Sequence, residues 1–439
     1  MMNILVVGSG AREHAVVRAL SLSKHQPQIY CCGTSHNPGI EKMAQAYWVG
    51  DITDVEQVAH QASQWQIMMA IIGPEAPLEH GLADALEARG IAVIGPKKQL
   101  AQIETSKAFA RDLMQKYGIS GLPKYKIFSN PVGVMDFLTE LGPNNYVVKA
   151  NGLMAGKGVK VAGDHLHSYQ EAFEYCTEIF TQGQSLVIEE KLIGQEFSFM
   201  CFSDGNTLVP MPLIQDNKRA YVDDKGPNTG GMGSYSAPDH SLPFLNPSDV
   251  ESAWNINQSV LNALMTEMNE KYIGILYGGF IATAAGVYVI EFNARFGDPE
   301  SLNVLSILES DFVDLCVSLT KGNLQADQVV FSKKATVCKY AVPDGYPDHP
   351  VRQVEIDINK VENKNYLYLA AVNAVDGKLY ATGSRTAAYV GVADTISGAE
   401  QIAEQEISYV EGPLFHRKDI GTSALINKRI DAMQRLRSL

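Results

Sequence analysis

The stretch Val289-Ile290-Glu291-Phe292-Asn293-Ala294-Arg295-Phe296-Gly297-Asp298-Pro299-Glu300 decides how this chain is read. Its apolar lead-in, Val287 to Ile290, predicts a strand on which Glu291 and Asn293 project to one side by the period of two. A carboxylate beside an amide oxygen is a pair of hard ligands suited to Mg²⁺, an ion that also takes oxygens from substrate phosphates. Arg295 continues the parity and sets a cation beside the pair. An isolated E-x-N at a strand end is more often two solvated polar residues. Here phosphate-handling features upstream favour a nucleotide–metal site.

The first of those features is Lys149-Ala-Asn-Gly152-Leu-Met-Ala-Gly156-Lys157-Gly158, three glycines and a lysine between two predicted strands, Tyr146–Lys149 and Gly158–Val161. It is not a P-loop, because Gly158 and Val159 follow Lys157 where a serine or threonine entering a helix is required. It reads as a flap able to fold over phosphates, with Lys149 and Lys157 approaching from two directions. Next, Leu186-Val-Ile-Glu189-Glu190-Lys191-Leu192 is an apolar strand running into acids, followed by Glu196. An adenine can lie on the apolar wall and bond the backbone from Glu189 to Leu192, with Glu196 facing ribose hydroxyls. Taken singly, these acids are ordinary surface charges at a strand end.

At the front, Gly8-x-Gly10-x-x-Glu13 joins the strand Asn3–Val7 to a helix from about His14 to Leu22. Glycines there let backbone approach a phosphate, and Arg12 adds a cation suited to a monophosphate. A dinucleotide site would want glycine near position 13 and an acid after the second strand, but Glu13 and Cys31-Cys32-Gly33 stand there instead. A tight turn without a ligand is the plainer alternative. Glu75, in Gly73-Pro-Glu75-Ala-Pro77, follows another strand end. It suits sugar hydroxyls or an amine, and equally a helix N-terminal charge.

Length and composition set the frame. At 439 residues the chain exceeds one core, and further strands at Gln28–Cys32, Met68–Ile72 and Ile91–Ile94 alternate with helices as in a parallel, doubly wound sheet. A helix is expected over Leu78–Arg89, another over Lys107–Tyr117, a polar loop over 215–246, and a further helix over Asp249–Lys271. A final module with strands Ala335–Val342 and Leu367–Val372 ends in an amphipathic helix. A net charge of −13 argues against a nucleic-acid or membrane-surface binder, which needs an extended basic face. Six cysteines without C-x-x-C spacing, no signal peptide and no long apolar run point to the reducing cytoplasm.

In order and residues the chain resembles the ATP-grasp ligases, and within them the phosphoribosylamine–glycine ligase family. The matching segments are Val7 to His14, Gly73 to Leu78, Ser106-Lys-Ala-Phe109, Val148 to Gly158, Gln215-Asp-Asn-Lys-Arg219, Gly226-Pro-Asn-Thr-Gly-Gly-Met-Gly233, Glu291 to Glu300 and Arg417-Lys-Asp-Ile-Gly421. The resemblance implies an α/β architecture. An N-terminal doubly wound parallel-sheet (pre-ATP-grasp) domain occupies 1–103, and an ATP-grasp fold 104–330 carries a small lid subdomain at about 124–192. A C-terminal α+β module covers 331–439. It implies that Lys107, Lys149, Gly156, Lys157 and Gly158 meet ATP phosphates. Glu189, Glu190, Lys191, Leu192 and Glu196 would hold adenosine, and Glu291 with Asn293 would bind Mg²⁺ or Mn²⁺. Gly8, Gly10, Arg12 and Glu75 would receive 5-phosphoribosylamine, and Asp216, Asn228, Thr229, Gly230 and Arg295 glycine. Arg295, Lys157 and Asp216 are the expected catalytic groups. Closure of the 152–158 flap would shield an acyl phosphate from water.

The partners implied are small molecules alone, ATP, glycine and 5-phosphoribosylamine, with no nucleic acid or membrane, and a monomer or weak homodimer. Ser301-Leu302-Asn303 and Gly279 depart from the family's commoner residues, and no role is assigned beyond about residue 320, Arg385 and Arg417 included. Two other readings stand beside this one: a different ATP-grasp carboxylate–amine ligase, and a nicotinamide oxidoreductase built on Gly8-x-Gly10.

Overall fold

Asn3–Val7 (β1) is an apolar run whose Ile4, Leu5, Val6 and Val7 are all fully buried. A strand apolar on both faces belongs in the middle of a parallel sheet covered by helices. The computed structural model, which describes residues 2–154 and 158–438, puts it there. β1 pairs in parallel with Gln28–Gly33 (β2) on one side and Met69–Ile72 (β4) on the other. Ala46–Val49 (β3) and Ala92–Ile94 (β5) complete the order β3-β2-β1-β4-β5. Strand order reverses beside β1, so the crevice for ligands lies at the carboxyl ends of β1 and β4, where Gly8–Gly10 and Gly73–Glu75 sit. β3 is absent from the sequence-based expectation; it is an edge strand of only four residues, Ala46-Tyr-Trp-Val49, three of them half-buried and Val49 exposed. The single helix expected over Leu78–Arg89 is two, Glu75–Glu79 and Leu82–Glu87, broken at Gly81, whose φ of +86° is left-handed.

Residues 125–190 form a four-stranded sheet, Tyr125–Phe128, Leu186–Glu190, Tyr146–Ala150 and Val159–Val161, under two helices. Phe128, Phe137, Leu138, Tyr146, Val148 and Ile188 give it a core of its own. The central antiparallel sheet runs Leu208–Pro210, Gln195–Asp204, Ile273–Thr283, Gly286–Asn293. The helix Pro247–Met268 starts at a capping box, Asn246 N–H donating to Asp249, and stops at Asn269 with φ of +48°.

The expected loop 215–246 needs correction. Gln215–Asp216 and Gly233–Ser236 are strands, and the second pairs with Ala335–Pro343 of the C-terminal module. Strands of two and four residues carry no periodicity of their own. Gln215–Asp216 pairs with Gly233–Ser236, whose other partner in Ala335–Pro343 lies about a hundred residues on, so only tertiary pairing makes them strands. The C-terminal module is also tied to the front of the molecule. His14 Nδ1 accepts from the Leu369 N–H at 2.9 Å, while Asn37 Nδ2 donates to Leu369 O at 2.7 Å and to Ser9 O at 3.0 Å. Arg417, 1% exposed, donates to Arg219 O and pairs with Asp224 and Asp419. Among the described residues no helix is long and apolar enough to cross a membrane.

Burial lowers the His14 pKa from 6.5 to about 4. An unfolded chain therefore binds a proton at this position between those two values while the folded chain does not, so acid favours unfolding. The stability this group contributes should be complete above pH 6.5 and decline as pH falls toward 4, by up to about 3 kcal/mol. Urea unfolding of His14→Gln, which keeps an acceptor but cannot titrate there, should show a flatter pH profile across that window. Parallel profiles for parent and variant would exclude this linkage.

Candidate active site

The metal strand Gly286–Asn293 contains a bulge. Gly279 faces Glu291 and Phe280 faces Val289, leaving Ile290 without a ladder partner. An unpaired carbonyl inside a protein needs a donor. The Ile290 carbonyl has two: Arg111 Nη2 at 2.8 Å and Lys149 Nζ at 3.0 Å. Arg111 Nη2 also donates to Val289 O at 3.1 Å. The same two cations close on Glu189, Arg111 Nε at 2.6 Å and Lys149 Nζ at 2.7 Å. Burial opposes ionisation of Glu189, but the charges of Arg111 and Lys149 outweigh it and hold the carboxyl at about 2. The Glu189 carboxylate is thus taken up by these two cations. Arg111 has a local signal absent from the expected site residues: it lies four residues after Lys107 and so on the same helix face.

The other residues expected to meet a nucleotide fall around this network. Lys107 opens the helix Lys107–Lys116 behind an N-cap, Ser106 Oγ accepting from the Phe109 N–H, and its Nζ donates to Gly152 O at 2.8 Å. Glu190 Oε1 accepts from the Lys124 N–H, Lys191 Nζ donates to Ala162 O, and Leu192 is half-buried. The Gly158 carbonyl accepts from the Ala150 N–H where the chain returns to the sheet. Gly156 and Lys157 lie outside the described residues.

A recess beside the metal strand is lined by Glu196, Asp216, Lys218, Tyr277 and Glu291. It brings together three motifs that are far apart in sequence. Lys218 Nζ stands 3.7 Å from Glu196 and 3.9 Å from Glu291. Burial opposes ionisation of Glu291, but Lys218, Lys149 and Lys107 together lower its pKa. Asn293 Oδ1 lies 3.3 Å from Arg295 Nη2. Glu291 and Asn293 therefore offer two hard oxygens ringed by cations, a donor set that fits a divalent metal shared with phosphate oxygens. Asp216 is different. Its Oδ1 is buried with no hydrogen-bond partner, and burial together with the nearby Glu300 pushes its pKa well up. Glu300 accepts from Tyr277 OH at 2.8 Å. Thr229 Oγ1 and N–H both donate to Lys218 O, fixing the loop that carries Asn228 and Gly230 across from Asp216.

Arg295 leaves the strand and is 2.8 Å from Glu104 and 3.3 Å from Glu75. Glu104 also accepts from the Ala294 N–H at 2.7 Å, and burial raises it to about 7. Nothing local in Gln102-Ile-Glu104-Thr105 announces this role.

The glycine turn at the front is also bonded from within. Glu13 Oε2 accepts from the Gly10 N–H at 2.6 Å, and Oε1 accepts from Arg12 Nε at 2.6 Å. Arg12 Nη1 donates to Phe296 O. A Cβ on Gly73 would sit 2.0 Å from Glu13 Oε1, and one on Gly8 2.6 Å from its Cδ. The glycines make room for this carboxylate, which answers the positive end of the helix Ala11–Ser21. A glutamate three residues past a helix N-cap is the signal that could have revealed it.

Three models of phosphoribosylglycinamide synthetase match this chain in succession: the N domain over residues 2–104, the ATP-grasp (A) domain over 105–301 and the C domain over 336–423. The chain belongs to the phosphoribosylglycinamide synthetase family. It is 49% identical over 436 residues to the phosphoribosylamine–glycine ligase of Methanosarcina barkeri, covering 99% of this chain and 100% of that one. It is 44% identical to that of Methanopyrus kandleri, with both chains fully covered. The crystal structure of the Thermotoga maritima phosphoribosylamine–glycine ligase superposes with a TM-score of 0.80 at 26% identity, over 95% of this chain and 100% of that one. The chain thus has the family's ATP-grasp ligase fold, and the dinucleotide reading of Gly8-x-Gly10 falls away.

The buried network gives a sharp expectation. Arg111→Met would leave Glu189 with one cation and the Ile290 carbonyl with one donor, costing about 3–5 kcal/mol of stability in urea unfolding. KM for ATP should rise as Lys149 is pulled toward Glu189, and Arg111→Lys should recover part of both losses. A variant as stable as the parent would contradict this role for the network.

Proposed function

We propose that the chain joins glycine to 5-phosphoribosylamine at the expense of ATP, giving glycinamide ribonucleotide, ADP and phosphate in purine biosynthesis. One observation carries the reading. The acid after the hinge strand (Glu196), Glu291 and Asp216, whose buried Oδ1 has no hydrogen-bond partner, line a single recess with Lys218, which stands 3.7 Å from Glu196 and 3.9 Å from Glu291.

In this proposal Lys107, Lys149, the flap glycines Gly156 and Gly158, and Lys157 hold ATP phosphates. The backbone from Glu189 to Leu192 borders the adenine, and Glu196 meets the ribose. Glu291 and Asn293 hold Mg²⁺ or Mn²⁺, which when bound neutralises phosphate charge. Asp216, facing the 228–230 loop, takes the glycine ammonium, which gives its buried oxygen the cation it lacks. Arg295 steadies the glycine carboxylate. A carboxylate is a poor acylating agent, so its oxygen first attacks the γ-phosphorus, breaking the bond to ADP and forming glycyl phosphate. The chain's part is alignment and charge neutralisation by its lysines and Arg295. The amine of phosphoribosylamine then attacks the acyl carbon, phosphate departs with the bonding pair, and the nitrogen loses a proton. Phosphoribosylamine sits between the Gly8–Arg12 loop and Glu75. No enzyme nucleophile is required. Within this proposal the chain works in the cytoplasm, as a monomer or weak homodimer, on small molecules alone.

The test is ADP formation with Mg-ATP, glycine and phosphoribosylamine generated in the cuvette, omitting each in turn. Release should require glycine and the amine together. Release with another carboxylate in place of glycine, or another amine in place of phosphoribosylamine, would overturn the substrate assignment. Glu291→Ala should lower kcat by roughly a hundredfold or more while leaving the unfolding midpoint near that of the parent. Near-parental turnover by that variant would remove Glu291 from the metal site.

A further inference from the structure

The turn Thr382-Gly-Ser-Arg385 links the strands Lys378–Ala381 and Ala387–Ala393 of the C-terminal module, yet its arginine bonds outside that module. Arg385 Nη1 donates to Gly230 O at 2.7 Å, Gly231 O at 3.2 Å and Asp298 O at 3.0 Å, and Nη2 donates to Asp298 Oδ2 at 2.8 Å. The guanidinium lies over the Tyr340 ring, 4.6 Å from its centroid, and Tyr340 OH donates to the other Asp298 oxygen at 2.6 Å. A planar fork with five donors can bridge carbonyls and a carboxylate from separate segments at once, which an ammonium cannot do. The segments bridged here are the Gly226–Gly233 loop and the turn before Glu300.

Those two segments pack together beside Asp216. A Cβ on Gly231 would lie 2.6 Å from Asp216 Oδ1 and 2.7 Å from Pro299 Cδ, so the Gly231 backbone is wedged between them. Its φ of +112° suits glycine and few other residues. Asp216 Oδ1, buried and without a hydrogen-bond partner, lies against Gly231. The placing of Gly231 against Asp216 is therefore held by a side chain of the C-terminal module.

We propose that Arg385 is a positioning residue for the amino-acid substrate, holding the 226–233 loop and the 297–300 turn at the separation that seats glycine against Asp216 and turns away a larger side chain. This rests on the assignment of glycine to Asp216 made above. Arg385 acts through the carbonyls it holds and through Asp298, and it gives the C-terminal module a part in substrate selection.

The test is steady-state kinetics of Arg385→Met, Arg385→Lys and Asp298→Asn beside Asp216→Asn, with circular dichroism and thermal unfolding to establish that each is folded. Arg385→Met should raise KM for glycine by roughly tenfold or more and leave KM for ATP within about twofold. The preference for glycine over alanine should fall. Arg385→Lys should recover part of the loss, and Asp298→Asn should shift glycine KM in the same direction by less. Folded Arg385 and Asp298 variants that lose only kcat or thermal stability, with glycine KM and the alanine preference unchanged, would overturn the proposal. Should Arg385→Met fail to fold, the lysine and Asp298 variants decide by the same criterion. An unchanged glycine KM in Asp216→Asn would instead remove glycine from Asp216, and the proposal would fall with that assignment. A raised glycine KM in Asp216→Asn with none in the Arg385 and Asp298 variants would overturn the clamp alone.

Discussion

The geometry of the site depends on a buried knot of charge: Glu189 between Arg111 and Lys149, with both cations also on the Ile290 carbonyl. Burying three charges costs several kcal/mol each unless every one is paired and hydrogen-bonded. That condition is met only when three elements hold one relation: the helix Lys107–Lys116, the hinge strand Leu186–Glu190 and the metal strand Gly286–Asn293. The bulge in the metal strand is part of the device, because it frees the carbonyl that the cations share. One constraint thereby aims Lys149 toward the space above Glu291 and fixes the hinge beside it. An apolar replacement of similar shape could be as stable. It could not keep a lysine ionised at that spot.

A second constraint is that no single domain owns the site. Arg12 and Glu75 from the front lie close to Phe296 and Arg295 of the central sheet. His14 and Asn37 grip the backbone of Leu369 from the C-terminal module. Arg417 holds the backbone of Arg219, next to Lys218, and Arg219 reaches Asp164 at 2.7 Å in the small four-stranded unit. Ties of this kind explain why the chain needs its last hundred residues, whose own side chains do not line the recess.

Much of the fold is legible in the residues. β1, β2, β4 and β5 announce themselves as apolar runs at strand ends rich in glycine, and the period of two alone puts Glu291 and Asn293 on one side. The bulge leaves that parity intact because it falls one residue earlier. What is not legible is set by distant partners. Gly233–Ser236 is a strand only because Ala335–Pro343 pairs with it. Glu104 looks like any helical glutamate until Arg295 arrives from nearly two hundred residues on. Glu189 reads as a solvated acid, and its two cations are visible only in three dimensions. At the Gly8–Gly10 turn the residues alone do not show that the Gly10 N–H is taken by the chain's own Glu13.

At the chemical centre of the proposed reaction, an oxygen of the glycine carboxylate passes through an acyl phosphate at the Glu291 recess. The most direct measurement is turnover of glycine labelled with heavy oxygen in both carboxylate positions, followed by mass analysis of the inorganic phosphate and the amide product. One labelled oxygen should appear in each phosphate released and one should remain in the amide. Unlabelled phosphate accompanying amide formation would contradict this chemistry, because the carboxylate would then have been activated by some route other than transfer of the γ-phosphoryl group.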